Sequence, residues 1–125
     1  MKEIIHTSDA PEAIGPYSQA VTHAGVVYCS GQIGLVPETM EFAGDDVESQ
    51  AKQVMKNLKA VLEEAGSSFD NVIKCSIFLA DMSDFSTVNE IYGSYFGDNP
   101  PARETVAVKT LPKSCKVEIS CIAHT

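Results

Sequence analysis

Between Val47 and Ala65, apolar side chains recur at every third or fourth position: Val47, Ala51, Val54, Met55, Leu58, Val61, Leu62 and Ala65. Lys52, Lys56, Lys59, Glu63 and Glu64 fall largely on the opposite face. The pattern predicts an amphipathic helix of about five turns, with Asp45 or Asp46 placed to cap its start and Gly66 to end it. A helix with one apolar stripe must bury that stripe against another layer. The rest of the chain supplies strands for it.

A short β-prone stretch covers Lys2–His6, and a turn-like segment from Ser8 to Pro16 follows it. Ser18–His23 and Val26–Ser30 flank Ala24-Gly25, a hairpin signature. Gly31 to Gly44 reads as loop. After the long helix, Val72–Ala80 alternates as a strand. Asp81 or Ser83 can cap a second helix with apolar positions Phe85, Val88, Ile91, Tyr92, Tyr95 and Phe96, ended by Gly97 and by Pro100-Pro101. Arg103–Lys109 and Lys116–Ala123, joined through Leu111-Pro112-Lys113-Ser114, are expected to pair as a closing hairpin. The order is β-β-β-α-β-α-β-β, an α+β class in a single domain over 1–125. Two helices cover only one face of a sheet of about five or six strands. The other face carries Phe78, Ala107 and Ile122, and a half-apolar uncovered face predicts an oligomer.

The net charge is −8, and the nine Lys and Arg residues form no run. A nucleic-acid binder needs a basic patch to displace phosphate counterions, so nucleic acid and anionic membrane are not the expected partners. A small anion needs only one well-placed cation. No apolar run approaches the ~20 residues of a membrane span, and the N-terminus lacks the apolar core of a signal peptide. A cytoplasmic setting is expected. Cys29, Cys75, Cys115 and Cys121 show no metal-ligand or redox spacing and read as small buried residues. His6, His23 and His124 read as surface or strand-edge residues. There is no phosphate-binding loop, dinucleotide fingerprint, zinc-protease motif or serine-hydrolase elbow. No cofactor and no metal are expected.

In the expected closing hairpin, Val106, Val108, Val117, Ile119 and Cys121 form the helix-facing side. Arg103 and Glu118 then point away from the helices, into the face expected to meet another copy. A charge there is costly unless it is paired or meets a ligand. Two readings follow: interface salt-bridge residues, or the lining of a cleft. With a turn symmetric about residues 112 and 113, Glu118 lies opposite Ala107 and Arg103 is about 13 Å away along the strand. A single site using both must then be built across a subunit boundary.

Pro100-Pro101 stiffen the approach to Arg103, whose planar fork suits a carboxylate bidentately. At Ser30-Gly31-Gln32, Gly31 admits close approach to the backbone and Ser30 offers a hydroxyl, although a plain strand-ending turn explains the segment equally well. Tyr17, in Gly15-Pro16-Tyr17-Ser18, either walls a pocket or simply packs.

Several segments together resemble the Rid family, the reactive intermediate deaminases, also called the YjgF family. They are Ala13-Ile14-Gly15-Pro16-Tyr17-Ser18-Gln19-Ala20, Ser30-Gly31-Gln32-Ile33, Ala80-Asp81-Met82-Ser83-Asp84-Phe85, Pro101-Ala102-Arg103-Glu104-Thr105, Leu111-Pro112-Lys113 and Val117-Glu118-Ile119. They occur in the family's order, and the resemblance runs from near residue 4 to residue 123. The resemblance implies a chorismate-mutase-like fold and a homotrimer with sites in the clefts between subunits. It implies 2-imino or 2-enamino acid substrates such as 2-iminobutanoate and 2-iminopropanoate, hydrolysed without a cofactor to 2-keto acids and ammonia. By the same resemblance Arg103 binds the substrate carboxylate and Glu118 orients the attacking water. Tyr17, Ser30, Gly31 and Asn89 match pocket residues, and Thr105 stands where the archetypal branch often has Cys. A trimer that binds small carboxylates or 2-keto acids without turnover is the alternative. A ribonuclease or translation inhibitor comes third, disfavoured by the charge.

Overall fold

The computed structural model describes residues 1–125. Its elements in chain order are β1 (Glu3–Ile5), β2 (Ala20–His23), β3 (Val26–Gln32), α1 (Val47–Glu64), β4 (Val72–Leu79), α2 (Phe85–Gly93), β5 (Ala102–Ala107) and β6 (Val117–His124). The expected order and the α+β class hold. The long helix begins at Asp46, whose carboxylate accepts from Ser49 N at 2.9 Å. It ends ahead of Gly66, which adopts φ 80°, a left-handed turn that glycine takes without strain. The hairpin between β2 and β3 also forms, with Ala24 at φ 51° and Gly25 at φ 78°, the paired positive values of a tight turn matched to strand twist. The second helix is shorter than its apolar positions suggest: α2 stops at Gly93, and Tyr95 and Phe96 pack from the turn that follows.

All six strands form one mixed sheet in the order β1-β2-β3-β6-β4-β5. Here the expected closing hairpin is wrong. β5 pairs parallel with β4, and β6 lies between β3 and β4, antiparallel to both. The physical reason lies in α2. A strand, a helix and a strand in succession return the chain in its original direction, which suits parallel pairing. β6 alternates buried and half-buried residues along most of its length and takes a central place, while the mostly exposed β5 stays at the edge. The link between them is a single turn at Pro112–Ser114, with φ 55° at Lys113 and 56° at Ser114.

The new pairing also reverses the faces of β5. Arg103 lies beside Cys75, Thr105 beside Ile77 and Ala107 beside Leu79, and those three partners are buried beneath the helices. Arg103 and Thr105 therefore belong to the helix-facing side. Glu104 and Val106 belong to the uncovered one, and Val106 is 44% exposed. On β6 the expected faces hold: Val117, Ile119, Cys121 and Ala123 are buried, and Glu118 pairs with Phe78 on the uncovered side.

The core lies between the helices and one sheet face. Val54, Met55, Leu58, Val61 and Leu62 of α1 meet Val27, Ile77, Val117 and Ile119, all 1% exposed or less. Each fully buried aliphatic chain contributes about 1.5–3 kcal/mol. All four cysteines are buried free thiols, and the three histidines are exposed, as expected. The other sheet face carries Ile4, Tyr28, Phe78, Val106 and Ile122 with no layer over it in the chain. No helix is long and apolar enough to cross a membrane.

Candidate active site

The sequence-predicted residues gather in two places, not one. The first is a cleft of about 610 Å³ lined by Tyr17, Ser30, Gly31, Glu118, Leu35 and Lys113, among others. The second, at the β5 edge beside α2, holds Arg103, Asn89 and Thr105. By register, Arg103 and Glu118 stand three residues apart along the strands and two strands apart across them, roughly 14 Å between backbones. They also face opposite sides of the sheet. The expected separation survives, but by a different pairing from the hairpin that predicted it.

The cleft is built on an irregularity. Cys29 pairs with Cys121 and Gln32 with Ile119, so three steps on β3 oppose two on β6. The extra residue is a bulge at Ser30-Gly31, a device that re-aims side chains and backbone at the rims of sites. These residues lie within β3, not in a turn after it. Ser30 spends its hydroxyl proton on Ser18 O at 2.6 Å, and its N–H donates to Gln19 O at 2.9 Å. Ser30 thus holds the Tyr17 loop against the strand. Tyr17 is 52% exposed, and its hydroxyl accepts from Ile14 N at 3.3 Å. It walls the cleft instead of filling the core.

Glu118 lies directly over Gly31. A Cβ at Gly31 would collide with its carboxylate oxygen and sit 2.8 Å from Cδ and 2.9 Å from Cγ. The missing side chain is the seat of the carboxylate. Burial pushes the Glu118 carboxyl above its ordinary range. A carboxylate so raised is a better proton acceptor near neutral pH than an exposed one.

The Arg103 guanidinium donates from Nη1 to Asn89 Oδ1 at 2.7 Å. It lies over two rings of α2, with Cζ 5.6 Å from the Phe85 centroid and 5.1 Å from that of Tyr92. None of the ion pairs in the chain involves it. Thr105 Oγ1 is shielded from solvent and has no hydrogen-bond partner in the chain. An unpaired cation and an idle hydroxyl side by side suit an anionic, hydrogen-bonding ligand.

Sequence reasoning missed the supports. Gln19 is 2% exposed. Its amide donates to the carbonyls of Thr7 at 3.0 Å and Pro11 at 2.8 Å and accepts from Thr7 N at 2.7 Å. It pins the loop that carries one cleft wall. Asn57, fully buried on α1, donates to Leu35 O at 2.9 Å, and Gln50 accepts from Lys116 N at 2.8 Å, just before β6. For Gln50 and Asn57 the available signal is a polar residue beside the helix's apolar stripe; Gln19, just before β2, carries none. Gln19→Leu leaves these loop groups unpartnered and is expected to destabilise the fold by about 2–4 kcal/mol, read by chemical denaturation.

A family model described as Endoribonuclease L-PSP matches residues 7–125. Protein DfrA of Myxococcus xanthus is 55% identical over 98% of this chain and 95% of its own length. The 2-iminobutanoate/2-iminopropanoate deaminase of Mus musculus is 48% identical over 98% of this chain and 91% of its own. The crystal structure of E. coli TdcF with bound serine superposes with a TM-score of 0.94 at 42% identity, covering 98% of both chains.

Proposed function

We infer the activity from one premise: this chain belongs to the Rid family, whose model carries the endoribonuclease L-PSP description. On that premise, the protein is a deaminase that hydrolyses 2-imino acids such as 2-iminobutanoate and 2-iminopropanoate to 2-keto acids and ammonia. Its site joins Arg103, Asn89 and Thr105 of one copy to Tyr17, Ser30, Gly31 and Glu118 of a neighbour, in a homotrimer. The observation that carries this reading is the pair of half-sites: a free cation and a half-buried carboxylate seated over Gly31, too far apart to share one small substrate within a chain. The uncovered apolar sheet face supplies the surface for assembly. The relatives named as imine deaminases supply the substrate class.

The chemistry needs few groups. Arg103 holds the substrate carboxylate bidentately and so places C2 of the iminium. Glu118 takes a proton from water as the water oxygen bonds to C2, giving a carbinolamine. Glu118 returns that proton to the amine nitrogen, then takes the hydroxyl proton as the C–N bond breaks and the carbonyl forms. The departing ammonia collects this proton from Glu118, so keto acid and ammonium result and the carboxylate is restored. An iminium is already electrophilic, so the protein's residues need only position and shuttle, with no cofactor. The cleft carries Glu12 and Glu118 against Lys113, and the chain is at −8, a poor match for a polyanion such as RNA.

The test generates 2-iminobutanoate in place from threonine with a threonine dehydratase and traps the free imine with semicarbazide. Wild type is expected to suppress trapping and release 2-ketobutyrate. Arg103→Ala is expected to lose roughly 10–100-fold of that activity, as a carboxylate deprived of its cation does. If neither protein changes trapping across several imino acids, the deaminase reading fails and the clefts are binding sites.

A further inference from the structure

Phe85, Asn89 and Tyr92 stand at i, i+4 and i+7 on α2, so one helix face presents all three to the β5 edge. Their common target is Arg103: two rings within 5.6 Å of Cζ and one amide oxygen at 2.7 Å. None of the three carries a charge. Burial keeps the Tyr92 phenol and the neighbouring Cys75 thiol protonated, so neither sets an anion against the guanidinium near neutral pH. The Tyr92 ring is itself fixed, 4% exposed and 4.8 Å from the Phe96 centroid. A guanidinium has five N–H donors in a planar fork. Asn89 uses one, and those left are enough for a bidentate carboxylate. An acidic partner would orient the fork equally well but would cancel the charge a ligand needs. Neutral partners orient it and leave the charge whole.

We propose that this face of α2 is a charge-free clamp: Phe85 and Tyr92 are positioning residues that hold the Arg103 guanidinium for an incoming carboxylate, and the neutrality of Asn89 keeps the cation available. The proposal rests on the reading of Arg103 as the carboxylate site.

The probe is 2-ketobutyrate, with its binding followed by calorimetry and turnover measured in parallel. Asn89→Asp sets a carboxylate at hydrogen-bond distance from Arg103. It is expected to weaken binding by roughly tenfold or more while melting at or above the wild-type temperature. A merely structural Asn89 predicts unchanged binding, since Asp holds the arginine at least as well. Phe85→Leu and Tyr92→Leu are each expected to weaken binding by roughly 2–5-fold, raising KM and sparing kcat. Tyr92→Phe keeps the ring and is expected to bind as wild type. If Asn89→Asp binds the probe like wild type while Arg103→Ala does not, the clamp is overturned and the Arg103 reading stands. If Arg103→Ala itself binds like wild type, the underlying reading fails and takes the clamp with it. Should Tyr92→Leu not fold, Asn89→Asp and Phe85→Leu still decide the matter.

Discussion

Glu118→Gln is expected to lose imine hydrolysis by roughly 10²–10⁴-fold and, at neutral pH, to melt a few degrees above wild type. The two effects share a cause. Glu118 is half-buried over Gly31, and burial raises its carboxyl above the ordinary value. The folded state therefore holds this proton more firmly than the unfolded chain does. Its favourable contribution is complete below the unfolded value of about 4.3 and is lost as pH rises through the folded value. At neutral pH the wild type folds with a charge that burial disfavours. Glutamine has the same shape and never ionises. Melting curves should diverge as pH rises from about 4 to 8, with the variant the more stable at the upper end. The activity of wild type should fall in the opposite direction, as acid titrates the base. A variant that keeps turnover removes Glu118 from the role of base, and one that melts below wild type at pH 8 shows that burial does not disfavour its charge.

The parts of this architecture that were legible in the sequence are those where one local signal sufficed. The α1 stripe has a single apolar face and a cap at each end. Ala24-Gly25 names its own turn. The strand order was less accessible because it is a competition among partners: β6 follows β5 closely, and closeness favours a hairpin, yet α2 had already turned the chain for parallel pairing with β4. The face of β5 was harder still. Arg103, Thr105 and Ala107 alternate with Glu104, Val106 and Val108, so each side carries one charge and some apolar surface. Only the register to Cys75 and Ile77 decides between them. The wrong hairpin and the real sheet both keep Arg103 far from Glu118, so the inference of a site shared between copies outlives the pairing that suggested it.

The candidate site was legible by residue and illegible by support. Arg103 stands out because two prolines precede it, and Asn89 and Thr105 enter through resemblance to a family. Phe85 and Tyr92 look in the sequence like core residues of an amphipathic helix, and one of them is. Their second task, stacking on a guanidinium from a strand of a different register, is a tertiary fact with no periodicity of its own. Gln19 and Asn57 are similar. A lone buried amide is recognisable only when the carbonyls it satisfies are known.

Gly31→Ala should cost about 100-fold in turnover while leaving the melting temperature within a few degrees of wild type. Gly31 is not one of the glycines with left-handed backbone, which are Gly15, Gly25 and Gly66. Alanine is therefore conformationally allowed there, and its N–H is retained. What the added methyl meets is the outer part of the Glu118 side chain, with Cδ at 2.8 Å and Cγ at 2.9 Å. That chain can swing aside at little cost to stability, but the carboxylate then leaves its seat by an ångström or more. A displacement of that size is worth about 10² in rate when the group must meet a reacting atom. If the loss runs only through Glu118, the two substitutions cannot add. The Gly31→Ala, Glu118→Gln pair should be no slower than Glu118→Gln alone. A double variant slower than both singles by the product of their losses would mean that Gly31 acts on the substrate directly, through its own backbone at the bulge, and not as the seat of the base.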